Sequence, residues 1–512
     1  MRENNPKYIT VTKVDDISIS NFAKAMNEIN IMELVDTNLT SNPNDTYAII
    51  ESKINEAKDI HLPTTTVKFN KYKHKKSPWI TLGILQSIKY RDKLYSKLKR
   101  CKPDSLDYSN EKYNLNTYNK ILNSLIKEAK QKYYEHEFIK HSSDLRKTWD
   151  TINKMICRNN KSKEFPSYII SKSKKIENTT EAVNVLNEYF SNIGTFLASS
   201  IPNSEKDFSE YLKQNINCSF SFQTVNETDI MKILDKFKPK TSSGPDGLSM
   251  KLLKSIKDAI AAPLSILVNQ SLYTGIFPTD FKLAKVLPIL KKPNDYNVEN
   301  FRPISLLNSV SKILEKCVFN QMYAYFESNN LLFTSQYGYR KEHSTELACL
   351  ELVDKVSHQL DEKHTPICVF LDLSKAFDTL NHEILLSKLK HYGLSDTPLR
   401  WFNDYLSHRH QYIEVNDIRS KTSKISMGVP QGSILGPLLF IIYMNDINYA
   451  SELFQAILYA DDTSLNTTIS AVGKSSDSLN SNAINHELSL ISQWLACNKL
   501  SLNVKKNEIH DL

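Results

Sequence analysis

Two short apolar runs in this chain each end in carboxylates. Ile367-Cys368-Val369-Phe370-Leu371 is closed by Asp372, and Leu453–Tyr459 is followed by Ala460-Asp461-Asp462. A short run of branched and aromatic residues with no polar member predicts a buried central strand. A charged residue at the end of such a strand sits at the rim of a sheet, partly exposed and rigidly mounted. This pairing of strand end and carboxylate, made twice, constrains the fold more than any other feature. After the first Asp, Ser374–Leu389 predicts a helix with Phe377, Leu380, Ile384, Leu385 and Leu389 near one face. The second place predicts a hairpin, with Asp461 and Asp462 in its turn. Taken singly, an Asp after a strand or an Asp-Asp pair is commonly just a turn former.

Aspartates on rigid mountings suit hard divalent cations, which take oxygen ligands. Two such ions about 3.5–4 Å apart, bridged by carboxylates, activate an attacking hydroxyl and stabilise the leaving oxygen. Between the two acidic segments lies Gly428-Val429-Pro430-Gln431-Gly432-Ser433-Ile434-Leu435-Gly436-Pro437. Glycine and proline at this density predict a tight loop, here opening a helix with Leu435, Leu438, Leu439 and Ile442 on its buried stripe. Gly432 lets backbone come close to a ligand. Gln431 places an amide donor and acceptor beside it.

In order along the chain, FLDLSKAFDTLNH (370–382), GVPQGSILGPLLFIIYMNDI (428–447) and YADD (459–462) resemble the catalytic core of reverse transcriptases. Alanine in YADD is similar to the non-LTR retrotransposon and group II intron enzymes. SSGPDGLSMKLLK (242–254), SQYGYRKEHST (335–345) and KKSPWITLGILQSIKYRDKLY (75–95) resemble the non-LTR class, nearest its jockey-like, LINE-type branch. LPILKKPNDYNVENFRPISLLNSVSKILEK (287–316) resembles the fingers segment. The resemblance extends over about 1–506.

The resemblance implies an α+β, right-hand polymerase fold. Fingers and a palm would form a mixed sheet with helices on one face, preceded by a basic helical N-terminal extension. The implied organisation is 1–65 as the connector that follows an endonuclease, 66–165 as a basic helical nucleic-acid-binding region, 166–270 as a helical extension, and 271–512 as fingers and palm. Strands are expected at 367–371, 410–416 and 421–427 and a hairpin at 454–466, all in the palm. An endonuclease is expected to be missing for want of room before residue 66, and a thumb because Asn507–Leu512 stands where the family continues with Thr and an apolar strand.

Residue by residue, the resemblance implies that Asp372 and Asp461 hold two Mg²⁺, with Mn²⁺ as a substitute, and that Asp462 supports them. Phe377 would be the steric gate against a ribose 2′-hydroxyl. Gln431 and Gly432 would line the incoming nucleotide, Arg302 and Lys285 would grip its triphosphate, Arg340 would contact template, and Lys506 would donate a proton to pyrophosphate. The implied activity is RNA-directed DNA polymerisation, with an RNA template (the element's own RNA), a DNA primer and dNTPs. The alternative is an inactive remnant that only binds nucleic acid. An RNA-templated RNA polymerase is disfavoured by Phe377.

Charge distribution bears on that alternative. The chain carries a net +8, yet residues 66–165 alone hold 24 Lys/Arg against 10 Asp/Glu. Leu115, Tyr118, Leu122, Leu125, Ala129 and Tyr133 recur there at helical spacing, as do Ile84, Ile88, Tyr95 and Leu98. Long amphipathic helices with cationic outer faces suit a polyanion, although a solvated helix face looks the same in sequence. The seven cysteines are scattered without a Cys-x-x-Cys pair and read as reduced residues of an intracellular protein, in cytoplasm or nucleus. The start of the chain lacks the apolar core of a signal peptide. The Gly244–Gly247 turn and helices at Glu181–Ile193, stopped by Gly194, and after Asn226 or Thr228 complete the reading.

Overall fold

The computed structural model describes residues 8–12, 15–68, 77–103, 105–142, 144–156, 165–202, 204, 206–470, 477–503 and 508–511. The chain divides into two compact units, 1–11 with 64–165 and 12–63 with 166–512. Among the described residues, no helix is long and apolar enough to cross a membrane.

In the first unit, strands β1 (Tyr8–Thr12) and β2 (Thr64–Lys68) pair, and three helices follow: Leu82–Leu98, Leu106–Lys140 and Leu145–Met155. Thr81 and Ser105 cap the first two through side-chain oxygens that accept from Ile84 N and Tyr108 N. The long pair packs through Ile84, Leu115, Leu122 and Tyr134, all buried. The Tyr90 and Tyr118 rings meet at 5.2 Å. The expected stripe is therefore only partly buried, and Leu125 remains 46% exposed. Lys112, Lys120, Lys127 and Lys132 are exposed along the longest helix.

The second unit begins with helices Asp16–Glu28 and Pro43–His61, capped by Asp15 and Asn42. They lie within the segment expected as a connector and pack into the unit's core. Phe22, Met26, Tyr47, Ile50 and Ile54 join the same core as the helices and strands that follow. Gln270, on helix Lys257–Thr274, donates to Asp36 O and Asn38 O at 2.7 and 3.0 Å and accepts from Thr46 Oγ1. Strands β3 (Ile169–Ser171) and β4 (Lys174–Ile176) form a small hairpin. The next helix runs Thr179–Ser200, through Gly194 rather than stopping there. A Cβ at Gly194 would lie 2.1 Å from Asp378 O, so the glycine permits a helix-to-loop contact. Asn226 caps helix Glu227–Lys236 in a capping box with Asp229.

Two larger sheets follow. The first contains β5 (Leu283–Leu290), β6 (Phe301–Leu306), β8 (Arg409–Val415), β9 (Ile418–Arg419) and β10 (Ser423–Ile425), in the order β10-β8-β5-β6 with β9 on β8. β5 pairs antiparallel with β6 and parallel with β8. The second has the order β11-β12-β7-β13 and is antiparallel throughout, built from β7 (His364–Leu371), β11 (Gln455–Tyr459), β12 (Asp462–Ser470) and β13 (Glu508–Asp511).

Three expectations are corrected here. The strands expected at 410–416 and 421–427 belong to the first sheet, with 283–306, and not beside Asp372. The second sheet is not covered on one face only. Pro366–Val369 are all buried, and Gln359, on helix Thr345–Asp361, donates to Asn466 Oδ1 at 2.6 Å while Ile367 and Val369 join the main core. Burial relaxes at both strand ends, at His364–Thr365 and at Phe370–Leu371, the latter being the end that carries Asp372. Finally, the residues that replace the expected apolar strand, Glu508–Asp511, pair with Ile367–Phe370 as β13. Strand pairing uses main-chain groups, so an unusual side-chain sequence can still occupy the edge.

Candidate active site

The register of β7 and β12 pairs Leu371 with Thr463, so the residues one step beyond, Asp372 and Asp462, face each other at the sheet's open end. β11 pairs Tyr459 with Asp462, leaving Ala460 and Asp461 as the turn. Asp462 is thus the first residue of β12 rather than a turn residue. Ala460 takes φ 59°, a left-handed conformation unfavourable for a residue with a Cβ.

Its support comes from Ser335–Gly338. Tyr337 N donates to Leu458 O at 2.7 Å and Leu458 N donates to Ser335 O at 2.8 Å, which adds this segment to the free edge of β11. The buried Gln336 Oε1 accepts from Gly338 N at 2.8 Å and from Ala460 N at 3.1 Å. A Cβ on Gly338 would stand 2.1 Å from Ala460 N. The SQYGYR segment therefore braces the acidic turn. Arg340 has the same structural role. Its guanidinium forks onto both Glu327 oxygens at 3.1 Å and donates to Phe333 O at 3.0 Å, so it clamps its own loop instead of pointing outward as a template contact.

On the Asp372 side, the expected 374–389 helix is broken. Lys375 is left-handed, Ala376–Asp378 makes one 3₁₀ turn, and the α-helix is His382–His391, capped by Asn381. That cap accepts from Glu383 N and Ile384 N and competes with any helix running through it. The break exposes one side of Phe377. Its ring stacks on Phe440 (5.0 Å, 23°) and meets Tyr339 edge-on (6.1 Å, 82°). Burial and the nearby Asp461 carboxylate raise the Tyr339 phenol above its ordinary value.

The Gly428–Gly432 loop is sewn to both sheets' connections. Val429 N donates to Phe377 O at 2.9 Å, Gly428 N to Leu380 O at 2.8 Å, and Ser305 N to Gln431 O at 2.9 Å. His382 Nε2 meets Gly428 O at 2.8 Å. Gly432 has φ 142° and backs onto Ser305 O, leaving its exposed backbone on the outer side. Gln431 Nε2 donates to both Asp378 oxygens at 2.8 and 3.0 Å. Burial raises the Asp378 carboxyl to about 6, against the opposing pull of Gln431, Lys375 and Lys291. Behind the loop, Ile434 N and Leu435 N donate to Glu315 Oε2 at 2.7 and 3.2 Å. Glu315 is fully buried, and desolvation pushes its carboxyl up. It caps helix Gly436–Met444, which is buried nearly all round rather than along one stripe. Asp378, Glu315 and Gln336 were not singled out from sequence. Only their places inside quoted motifs hinted at them.

Lys285 and Arg302 lie on the same face of the β5–β6 pair, where Lys285 opposes Leu306 and Ile289 opposes Arg302. At strand rise they are about 13 Å apart along the sheet. Arg302 is exposed, whereas Lys285 is ion-paired with Glu414. Lys506 lies outside the described residues. Among the described residues, no three His, Cys, Asp or Glu side chains stand close enough to hold a metal ion. The donor type suits a hard divalent cation: strand register brings Asp372 opposite Asp462, with Asp461 in the adjoining turn.

The site thus combines an antiparallel sheet with acidic strand ends and a glycine-rich loop sewn against Phe377. Residues 289–511 match the family described as reverse transcriptase (RNA-dependent DNA polymerase). The chain is 30% identical over 269 residues to the Probable RNA-directed DNA polymerase from transposon BS of Drosophila melanogaster, covering 50% of this chain and 29% of that protein. It is 26% identical over 307 residues to the RNA-directed DNA polymerase from mobile element jockey of the same species, covering 58% and 33%. It is also 26% identical over 229 residues to the Retrovirus-related Pol polyprotein from type-1 retrotransposable element R2 of Popillia japonica, covering 44% and 31%. Residues 289–511 are thus similar to reverse transcriptases, and the chain spans about a third or less of the length of these relatives.

Proposed function

We propose that this chain is the polymerase part of a non-LTR retrotransposon protein and adds dNTPs to a primer 3′-hydroxyl on an RNA template. The single observation that carries the reading is the Leu371–Thr463 register, which sets Asp372 against Asp462 beside the Asp461 turn. In this reading the second sheet is the palm and the first sheet belongs to the fingers. Asp372 and Asp461 would hold two Mg²⁺ (or Mn²⁺), with Asp462 in support. Bound there, the ions would supply Lewis acidity to the 3′-hydroxyl and neutralise charge on the α-phosphate.

The chain's own groups do the rest. Phe377, held from behind by Phe440, fills the space a ribose 2′-hydroxyl would need. Gln431, held by Asp378, and the exposed Gly432 backbone line the nucleotide. Arg302 presents a guanidinium fork suited to phosphate oxygens. Lys285 reaches the same face once Glu414 releases it. Residues 66–165 supply a cationic platform for RNA.

The test is extension of oligo(dT) on poly(rA) with dTTP and Mg²⁺ by the parent and by Asp461→Asn. Extension by the parent, abolished in the variant while RNA binding stays within about twofold, is the expected result. No extension by either, with RNA still bound, would leave only the nucleic-acid-binding reading.

A further inference from the structure

The sequence after the last long helix lies beside Asp372 in a way no motif anticipated. Helix Asp477–Cys497 ends with Lys499 in the left-handed region and Leu500 N donating to Leu495 O at 2.9 Å. This i-to-i−5 closure reverses the chain. Tyr443 OH then fixes the reversal by donating to Asn498 O at 2.6 Å, and the buried Leu500 anchors it. The outgoing residues run antiparallel to 372–374. Ser374 N donates to Ser501 O at 2.8 Å, Leu373 pairs with Leu502, and Asn503 N donates to Asp372 O at 2.8 Å. Asn503 closes a second bond on the same residue, its Nδ2 donating to Asp372 Oδ2 at 2.7 Å.

We propose that Asn503 is a positioning residue for the Asp372 carboxylate, fixing its rotation so that it presents oxygen lone pairs to a divalent metal. The proposal rests on the reading of Asp372 as a metal ligand. Its physical basis is the two-point grip. The main-chain bond sets the backbone, and the amide takes up one lone pair of Oδ2 and so stops free rotation of the carboxylate. Both residues are half-buried, which shields the bond from competing water. The donor is also neutral. A lysine here would cancel the charge the metal needs, and an aspartate would repel Asp372. Groups that orient metal ligands in this way are worth about 10–100-fold in metal affinity or activity.

The backbone bonds of 501–503 do not depend on the Asn503 side chain, so Asn503→Ala removes the amide while the segment stays docked. Leu502→Ala is the counterpart: it loosens the docking through a partly buried contact with the core and leaves the amide in place. The full chain and both variants would be compared by Mn²⁺ titration with electron paramagnetic resonance without nucleic acid, by thermal melting, and by the Mg²⁺ dependence of primer extension.

Asn503→Ala should bind Mn²⁺ about 10–100-fold more weakly and raise the Mg²⁺ needed for half-maximal extension by a similar factor. Its KM for dTTP at saturating Mg²⁺ should move less than about twofold. Leu502→Ala should melt lower and keep its metal constants. Should Asn503→Ala fail to fold, Asn503→Ser carries the same readouts. Metal constants unchanged in Asn503→Ala, or shifted equally in Leu502→Ala, would overturn the proposal. So would a parent that holds no Mn²⁺ sensitive to Asp372→Asn. A parent whose Mn²⁺ binding needs Asp372 and weakens in Asn503→Ala, but which extends no primer, would sink the polymerase reading and leave the positioning role standing.

Discussion

The gate proposed for Phe377 is compatible with its packing in the core. Its ring stacks on Phe440 and meets Tyr339 edge-on. Phe377→Val should therefore admit rNTPs and also cost stability, measurable as rNTP incorporation and as a lower Tm. Retained discrimination would reduce it to a packing residue. Asp378 makes a different prediction. Its folded pKa of about 6 is above its ordinary 3.8, so the stability it contributes is complete below about pH 4 and lost as pH rises through 6. Asp378→Asn should then gain on the parent by roughly 2–3 kcal/mol between pH 4 and 7, read from melts at each pH. A constant difference across that range would show that the carboxyl does not titrate as its surroundings dictate.

Among the elements, the β11–β12 hairpin and its brace decide the site's shape. Gly338→Ala should strain the contact with Ala460 N and cost about 1–3 kcal/mol, with extension falling more than RNA affinity. Arg340→Ala should loosen the 333–340 loop and leave the salt slope of RNA binding unaltered. A lost phosphate contact would instead lower that slope by about one. The strands ending in Asp372 and Tyr459 were legible because an apolar run has few other fates. The helix after Asp372 was misread because its apolar spacing is satisfied by a 3₁₀ turn and a later helix, with Asn381 breaking the continuity. Gly194 was misread as a stop because its real constraint, the Asp378 carbonyl, lies far along the chain.

Across the whole molecule, the positive excess is concentrated in the first compact unit, and the acidic strand ends belong to the second. If RNA is held by the first, replacing Lys112, Lys120, Lys127 and Lys132 with Ala should weaken RNA binding and flatten its salt dependence by up to about four counterions, each worth a slope near 0.9 on a duplex and 0.7 on a single strand. Extension at saturating RNA should survive. An unchanged slope would make that helix merely a solvated face. Residues 12–63, within the segment expected as a connector, place their apolar faces in the larger unit's core.

The sequence by itself determined which strands end in carboxylates, which loop is rich in glycine and where positive charge collects. These follow from composition over a few neighbouring residues, where burial and backbone preference act locally. Only the tertiary structure decided that 409–425 pairs with 283–306, that Gln336 and Gly338 brace Ala460, that Glu315 caps the buried helix, and that Asn503 holds Asp372. Each of these is a hydrogen bond or strand pairing between segments remote in sequence. Main-chain donors and acceptors look alike at every residue, so which of them meet is settled only when the core closes.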